Sequence, residues 1–348
     1  MKDILSMTLP ELQNAVQELH ESKYRGAQIY HWLHVRKVTD FTQMTDLSSA
    51  LRTKLESEFC IKRLFIARRL ASCMDDTVKY LYRLPDGQHI ETVLMHYQHG
   101  WRLCISTQVG CKMGCQFCAS TIAGYVRNLS ASEMLLQIDE TERDAGVSIS
   151  GLVLMGIGEP LDNFDHVIRF LGLLSDQKGR NMSLRHVTLS TCGIVPKIRE
   201  LADHCSGLTL AVSLHNPENS GRNRIMPVNR KYPLPELMKA CQYYFARTGR
   251  RVTYEYAVME GENDSIEDAR KLADLLKHQQ AHVNLIPVNA VKERDFHADR
   301  QAAQRFMQYL EKAGVHATVR RTLGSDIQAA CGQLRHEAGC IESIKREE

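Results

Sequence analysis

From residue 102 onward, apolar strand-like runs alternate with helical patterns, an alternation that few folds accommodate. It predicts α/β architecture, with βα units around a parallel sheet. Six strands are expected: Arg102 to Ser106, Gly151 to Met155, His186 to Ser190, Leu208 to Ser213, Val252 to Val258, and Val283 to Pro287. The helix after the first unit opens with Ser130-Ala131-Ser132-Glu133, a capping box whose hydroxyl and carboxylate satisfy orphan backbone donors. Another begins near Ser265, capped after Asn263 and Asp264. Upstream, Leu9, Leu12, Val16 and Leu19, then Ile29, Trp32 and Leu33, then Leu47, Leu51 and Leu55 recur at helical spacing. Residues 1–60 therefore read as a small helical domain. Over 61–100 the period changes: Val78, Tyr80 and Tyr82 alternate, Pro85-Asp86-Gly87 makes a turn, and Ile90 to Tyr97 returns as the second strand of a hairpin. Residues 101–322 are expected to form the large core of βα units and 323–348 a C-terminal segment. No internal repeat or low-complexity linker interrupts the chain.

The 348 residues, 43% hydrophobic and 24% charged, suffice for one large catalytic domain with a smaller appendage. No apolar run approaches membrane-spanning length, and Met1-Lys2-Asp3-Ile4-Leu5 lacks the layout of a secretory signal, so a cytosolic location is expected. Eleven cysteines in a large cytosolic chain point to metal binding or redox catalysis, and their odd number excludes complete pairing. A net charge of +3 is too mild to establish a nucleic-acid partner by itself.

Three of the cysteines, Cys111, Cys115 and Cys118, fall in one short run, Gly110-Cys111-Lys112-Met113-Gly114-Cys115-Gln116-Phe117-Cys118. This spacing can hold three corners of a four-iron cluster and leave one iron open to a substrate or cofactor. Cysteines at i, i+4 and i+7 also share a helix face. However, the interleaved Gly110, Gly114, Lys112 and Gln116 make a poor core helix. Structural zinc needs four ligands, and no second paired knuckle lies at suitable spacing downstream. The cluster is the stronger reading.

Ligand sites on parallel sheets lie at the carboxyl ends of the strands. Gly156-Ile157-Gly158-Glu159-Pro160 follows the second strand, where the glycines allow close backbone approach to a ligand and Glu159 offers a carboxylate to an amino group. Ser190 ends the third strand, Ser213-Leu214-His215 the fourth, and Asn289 follows the sixth. Each alone reads as a satisfied loop residue. Together they read as the pocket of a polar cofactor.

With these motifs in place, the chain resembles the radical S-adenosylmethionine superfamily, and within it the RNA adenine carbon-2 methyltransferases that modify 23S ribosomal RNA and tRNA. The matching segments span nearly the whole chain. They include Glu91-Thr92-Val93, Cys104 to Cys111, Arg127-Asn128-Leu129, Gly158-Glu159-Pro160-Leu161, Leu189-Ser190-Thr191, Val212-Ser213-Leu214-His215, Met226 to Pro233, and Asp326 to Leu334. Ala119-Ser120 and Val288-Asn289-Ala290 depart from the commonest family wording without removing a ligand. The resemblance implies a partial six-unit (βα) radical-SAM barrel with a 4Fe-4S cluster on Cys111, Cys115 and Cys118. It implies two S-adenosylmethionine molecules per turnover, with Gly158, Glu159, Ser190, Ser213, Leu214, His215 and Asn289 as cofactor-binding residues. A sister family methylates carbon 8 of the same rRNA adenosine. Glu159-Pro160-Leu161 and the N-terminal helical domain favour carbon 2, and a radical enzyme acting on a non-RNA substrate is a further alternative.

The resemblance also implies roles for residues that spacing alone would leave as packing cysteines or a solvent-facing strand residue. Cys331 accepts the methyl group through its thiolate, Cys104 removes the ring proton and closes a disulfide with Cys331, and Glu91 matches a position assigned as proton acceptor. A monomer reduced by an electron donor such as flavodoxin or ferredoxin is expected. For RNA contact, the basic stretches are Lys62-Arg63 with Arg68-Arg69, Arg222 to Lys231, Arg250-Arg251 and Arg320-Arg321. Arg222 to Lys231 is the favoured one, because it follows the strand ending near His215 and should rim the pocket mouth.

Overall fold

A computed structural model describes residues 1–335 of the chain, so Cys340 and residues 336–348 of the C-terminal segment lie outside the described residues. The N-terminal unit folds where its periodicity and caps direct. After the short strand β1 (Lys2–Asp3), Thr8 caps α1 (Leu9–Glu18) in a capping box with Glu11, and Leu9, Leu12, Ala15 and Val16 turn inward. Helices α2 (Tyr24–His34) and α3 (Ser49–Glu58) bury Ile29, Tyr30 and Leu33, and Leu51 and Leu55. Strand β2 (Phe59–Cys60) pairs in parallel with β1.

The next strands are β3 (Phe65–Ala71), β4 (Val78–Arg83), β5 (His89–Tyr97) and β6 (Gly100–Cys104), paired antiparallel in that order. The expected turn is present, with Gly87 at φ 83° and its N–H donating to Leu84 O at 3.0 Å. The hairpin is thus one part of a three-stranded antiparallel wing continuous with the main sheet. Strand β3 has no counterpart among the expected strands, because Phe-Ile-Ala-Arg-Arg-Leu-Ala lacks alternation and lies at the exposed sheet edge.

A short ribbon, β7 (Gln108–Gly110) and β8 (Tyr125–Asn128), brackets the cysteine loop. Helix α4 (Ala131–Ala145) starts at the Ser130/Glu133 capping box and stops at Gly146 in the left-handed conformation. The βα units then follow: β9 (Ile149–Leu154), α5 (Phe164–Ser175), β10 (Val187–Thr191), α6 (Val195–His204) and β11 (Thr209–Ser213). After α7 (Asn219–Ile225) and α8 (Leu234–Thr248) come β12 (Val252–Val258), α9 (Ile266–Leu276), β13 (Ala281–Pro287), α10 (Arg300–Lys312) and β14 (Ala317–Val319). The strand order is β14-β13-β12-β11-β10-β9-β6-β5-β4-β3, with all pairings from β6 to β14 parallel. Because β3 and β14 do not pair, the sheet is an open, partial barrel. The three-residue β14 adds a seventh parallel strand, too short for its sequence to announce. Helix α9 is capped by Ser265 in a box with Asp268, which frees Asn263 for a different task described below.

The helical unit docks onto this barrel through buried charge. Across the boundary Lys37 pairs with Glu142 and Tyr30 donates to Asp176 at 2.8 Å, next to a two-pronged pair within the barrel, Arg180 with Asp139. Burial opposes the charge on Asp139, but Arg180 and Lys37 outweigh it and hold the carboxyl below its usual range. His34 is enclosed beside them, and burial followed by the Arg180 charge pushes it down to about 3.

Candidate active site

Residues 111–118 form no helix, so the three cysteines do not share a helix face. The loop is pinned instead by backbone contacts: Cys111 N–H donates to Gly124 O at 2.9 Å and Gln116 N–H to Ile225 O at 2.9 Å. Gly110 has φ 73°, and a Cβ there would lie 1.9 Å from Gly124 O, so only glycine fits. The result brings Cys111, Cys115 and Cys118 to the wall of one cavity at the carboxyl ends of the parallel strands. That cavity is open to solvent at its mouth and spans about 970 Å³ when the open space there is included.

The same cavity is lined by Gly158, Glu159, Ser190, Ser213, His215 and Asn289, the expected cofactor residues with one exception. Leu214 is fully buried in the hydrophobic core; only its backbone serves the site, accepting from Arg222 Nε at 3.1 Å. Glu159 is held by two N–H donors, Leu161 on Oε1 at 3.0 Å and Cys192 on Oε2 at 2.7 Å, while burial raises its pKa. His215 sits at φ 56°, a strained conformation for a residue with a Cβ. Its Nδ1 accepts from Ala257 N–H at 2.8 Å, so in the neutral ring Nε2 carries the hydrogen. Burial, then Arg222, pushes its pKa down to about 3 and keeps the ring neutral. Asn263 clamps this corner, donating to His215 O and Ala257 O and accepting from Met259 N–H.

The glycines of Gly156-Ile157-Gly158 line the cavity and also serve the fold. A Cβ on Gly156 would meet the Ile105 backbone at 2.7 Å, and one on Gly158, at φ 109°, would meet Gln108 at 2.6 Å. The close approach they permit is to the chain leaving β6, which carries the cysteine loop.

A second, smaller cavity adjoins the first. Met155, Ile286, Asn289, Arg320 and Cys331 line both, and Cys104 lines the second. Cys104, the last residue of β6, is buried, and burial together with the neighbouring Cys331 pushes its thiol up to about 12. Cys331 is carried by a segment strapped across the barrel end: Asn289 Nδ2 donates to Cys331 O at 3.0 Å, Ala119 N–H to Gly332 O at 2.8 Å, and Ser120 Oγ to Leu334 O at 2.7 Å. Glu91 lines neither cavity. It pairs with Lys79 at 2.6 Å and accepts from Arg335 N–H at 2.7 Å, tying β5 to the same segment.

Two basic positions expected to meet RNA are elsewhere. Arg222 is completely buried and donates to the carbonyls of Leu214, Ser213 and Cys192 and to Asn229 Oδ1. It therefore braces the strand ends behind the cysteines, and Arg224 is paired with Glu262. Arg320 faces the thiols from the shared cavity wall, with Cys331 the chief influence holding its charge. Glu255 and Cys192, which also line the large cavity, had no assigned role. Glu255 carried a legible signal, a carboxylate in the middle of an otherwise apolar parallel strand. Cys192 carried none.

The donor set fits a thiolate-bound cluster. All described cysteines are free, and burial raises the three loop thiols, so deprotonation would accompany metal binding. Among the described residues, no three His, Cys, Asp or Glu side chains converge tightly enough to hold a single ion, whereas a cubane takes its thiolates at separate corners. Family models agree. The Radical SAM superfamily matches residues 105–276, and the Ribosomal RNA large subunit methyltransferase N-terminal domain matches residues 2–61. The class is therefore that of the radical S-adenosylmethionine enzymes, which implies S-adenosylmethionine and a 4Fe-4S cluster.

Full-length relatives narrow this further. The chain is 50% identical over 337 residues to the "Probable dual-specificity RNA methyltransferase RlmN" of Lachnoclostridium phytofermentans, covering 96% of this chain and 94% of that one. It is 49% identical over 338 residues to the protein of that name in Thermoanaerobacter sp., with 97% and 98% coverage. A solved radical SAM methyltransferase from Sphaerobacter thermophilus superposes with a TM-score of 0.91 at 41% identity, over 96% of this chain and 99% of that one. The chain belongs to the RlmN family and is an RNA methyltransferase of the radical SAM superfamily. Among the described residues, no helix is long and apolar enough to cross a membrane.

Proposed function

We propose that the protein methylates carbon 2 of an adenosine in 23S rRNA, and of an adenosine in tRNA, with Cys331 as the carbon carrier and Cys104 as the base. The reading rests on one observation: the two thiols share the wall of a small cavity that adjoins the sulfur-lined one, with Cys331 in the wall of both. When bound, the cluster and S-adenosylmethionine supply the methyl group and the hydrogen-abstracting radical. Cys111, Cys115 and Cys118 would hold the cluster. Glu159, fixed by two backbone donors, presents a carboxylate to an ammonium group, and neutral His215 offers an Nε2 hydrogen to an acceptor.

Carbon 2 of adenine carries a hydrogen that no ordinary base removes, so the carbon must arrive before the proton leaves. Cys331 Sγ delivers it, and Cys104 Sγ then takes the ring proton. The Cys104 thiolate then attacks Cys331 Sγ: the S–S bond forms as the bond from Cys331 Sγ to the transferred carbon breaks, and that carbon takes up a proton to leave as the methyl group on the RNA. Burial raises the pKa of Cys104, so its thiolate is a strong base for the ring proton, and that proton must leave again before the sulfur can close the disulfide. Two S-adenosylmethionine molecules are used per turnover, and a flavodoxin or ferredoxin supplies electrons to a monomeric enzyme in the cytosol. Glu91, away from both cavities, serves this reading as an anchor of the Cys331 segment.

Cys104→Ala tests the assignment. It should arrest the reaction with RNA covalently attached through Cys331, and mass spectrometry of the digested adduct should place the link at carbon 2. Attachment at carbon 8, or no adduct while product still forms, refutes it.

A further inference from the structure

The wing β3-β4-β5 has two unlike faces. Tyr82 hydrogen-bonds Thr141, Tyr80 Asp144 and Thr92 Gln137, so one face packs on α4. Register defines the other. Phe65 lies opposite Arg83, Arg68 opposite Leu81, Leu81 opposite Glu91, and Val93 opposite Cys104. Directly opposed residues point the same way and side chains alternate along each strand. Phe65, Arg68 and Arg83 therefore share the face that carries Cys104, at its outer end.

This outer end is unusual chemically. Phe65 is 47% exposed, and the guanidinium groups of Arg63 and Arg83 stand over its ring at 5.8 and 5.6 Å. Arg63, Arg68 and Arg83 are exposed, and none has a carboxylate within ion-pair distance among the described residues. By contrast, neighbouring Arg69 is neutralised by Asp144 and Lys62 lies 3.6 Å from Asp3. From Arg68 a groove continues past Leu81, Lys79 and Glu91 to Ile327 and Gln328, within the segment that bears Cys331; of the two carboxylates along it, Glu91 is paired with Lys79 and Asp326 accepts from Ser72 and Cys73.

We infer that this face, with Arg63, Phe65, Arg68 and Arg83, is where the RNA substrate docks on its way to the thiols. Unpaired guanidinium groups bind phosphates, and an exposed ring between them stacks a base without regard to sequence. Arginines on an edge strand also discourage edge-to-edge pairing of sheets. That task needs charge anywhere along β3, whereas here a charge from β4 and one from the segment before β3 gather on one ring.

The test is binding of protein-free 23S rRNA by the full chain, followed across KCl concentration. Arg63→Ala with Arg83→Ala should make the slope of log affinity against log salt shallower by about 1.4 to 1.8, at about 0.7 to 0.9 per lost phosphate contact. Phe65→Ala should weaken binding roughly 5- to 150-fold with the slope retained. Arg63→Lys with Arg83→Lys should keep the slope and guard against misfolding as the cause. As a measurement independent of these variants, a photoreactive benzoyl-phenylalanine in place of Phe65 should crosslink to the rRNA. Unaltered slopes without a crosslink overturn the inference. So does an equal change from Arg224→Ala with Arg230→Ala, which would make the effect diffuse, or variants that change only aggregation.

Discussion

Glu91→Gln should loosen the segment that carries Cys331. Glu91 and Lys79 are 2% and 7% exposed and 2.6 Å apart, so solvent screens their pair little. Removing one partner of a buried pair costs about 3 to 5 kcal/mol, chiefly because the other charge stays buried and unbalanced. Lys79 Nζ would retain the Gln328 carbonyl at 3.2 Å, a neutral partner. The least costly way to hydrate the ammonium is to lift residues 324–335, which cover it. If about 3 kcal/mol is relieved on lifting, opening becomes on the order of 100-fold more frequent. Hydrogen exchange read by mass spectrometry should show that loss of protection over 324–335, with α4 unchanged. Lys79→Met with Glu91→Gln removes both charges and should recover most of the protection. If exchange over 324–335 stays the same in Glu91→Gln, the pair does not anchor the segment.

Three more outcomes follow from the geometry. The pKa of His34 is depressed to about 3, against about 6.5 unfolded, so the unfolded state binds more protons between those values and stability falls as pH drops below 6.5. Urea midpoints should show roughly 1 to 2 kcal/mol lost from pH 6.5 to 5, and His34→Phe should flatten that part of the profile. Gly110→Ala, blocked by Gly124 O, should abolish iron and sulfide uptake on reconstitution, while Gly87→Ala, also at positive φ but in open space, should cost about 1 to 2 kcal/mol and leave uptake intact. Arg222→Met should destabilise the chain by at least about 3 kcal/mol, since four buried acceptors lose their donor, and leave the salt dependence of RNA binding unchanged.

Much of the fold was legible because its signals are local. The six long parallel strands, the Ser130 and Ser265 helix starts and the turn at Gly87 each depend on residues within a few positions of one another. The cysteine run and the strand-end polar residues were legible for the same reason: a parallel sheet brings all its strand ends to one side. Leu214 sends its side chain to the core because neighbours in sequence at a strand end point to opposite faces, so between Ser213 and His215 only its backbone reaches the strand-end side. Strands β3 and β14 escaped because edge position and short length remove the periodicity that reveals a strand.

By itself, the sequence determined the α/β architecture, the thiol loop and the set of strand ends that could form a cofactor pocket, all of them matters of period and spacing. Only the tertiary structure decided which distant groups meet: Arg180 with Asp139, Glu91 with Lys79 and Arg335, and Arg222 with the carbonyls behind the cysteines. Whether an arginine meets solvent, a carboxylate or a shell of carbonyls depends on how the strand ends pack around it. Composition is the same in each case, and the cost of burying the charge is set by those neighbours alone.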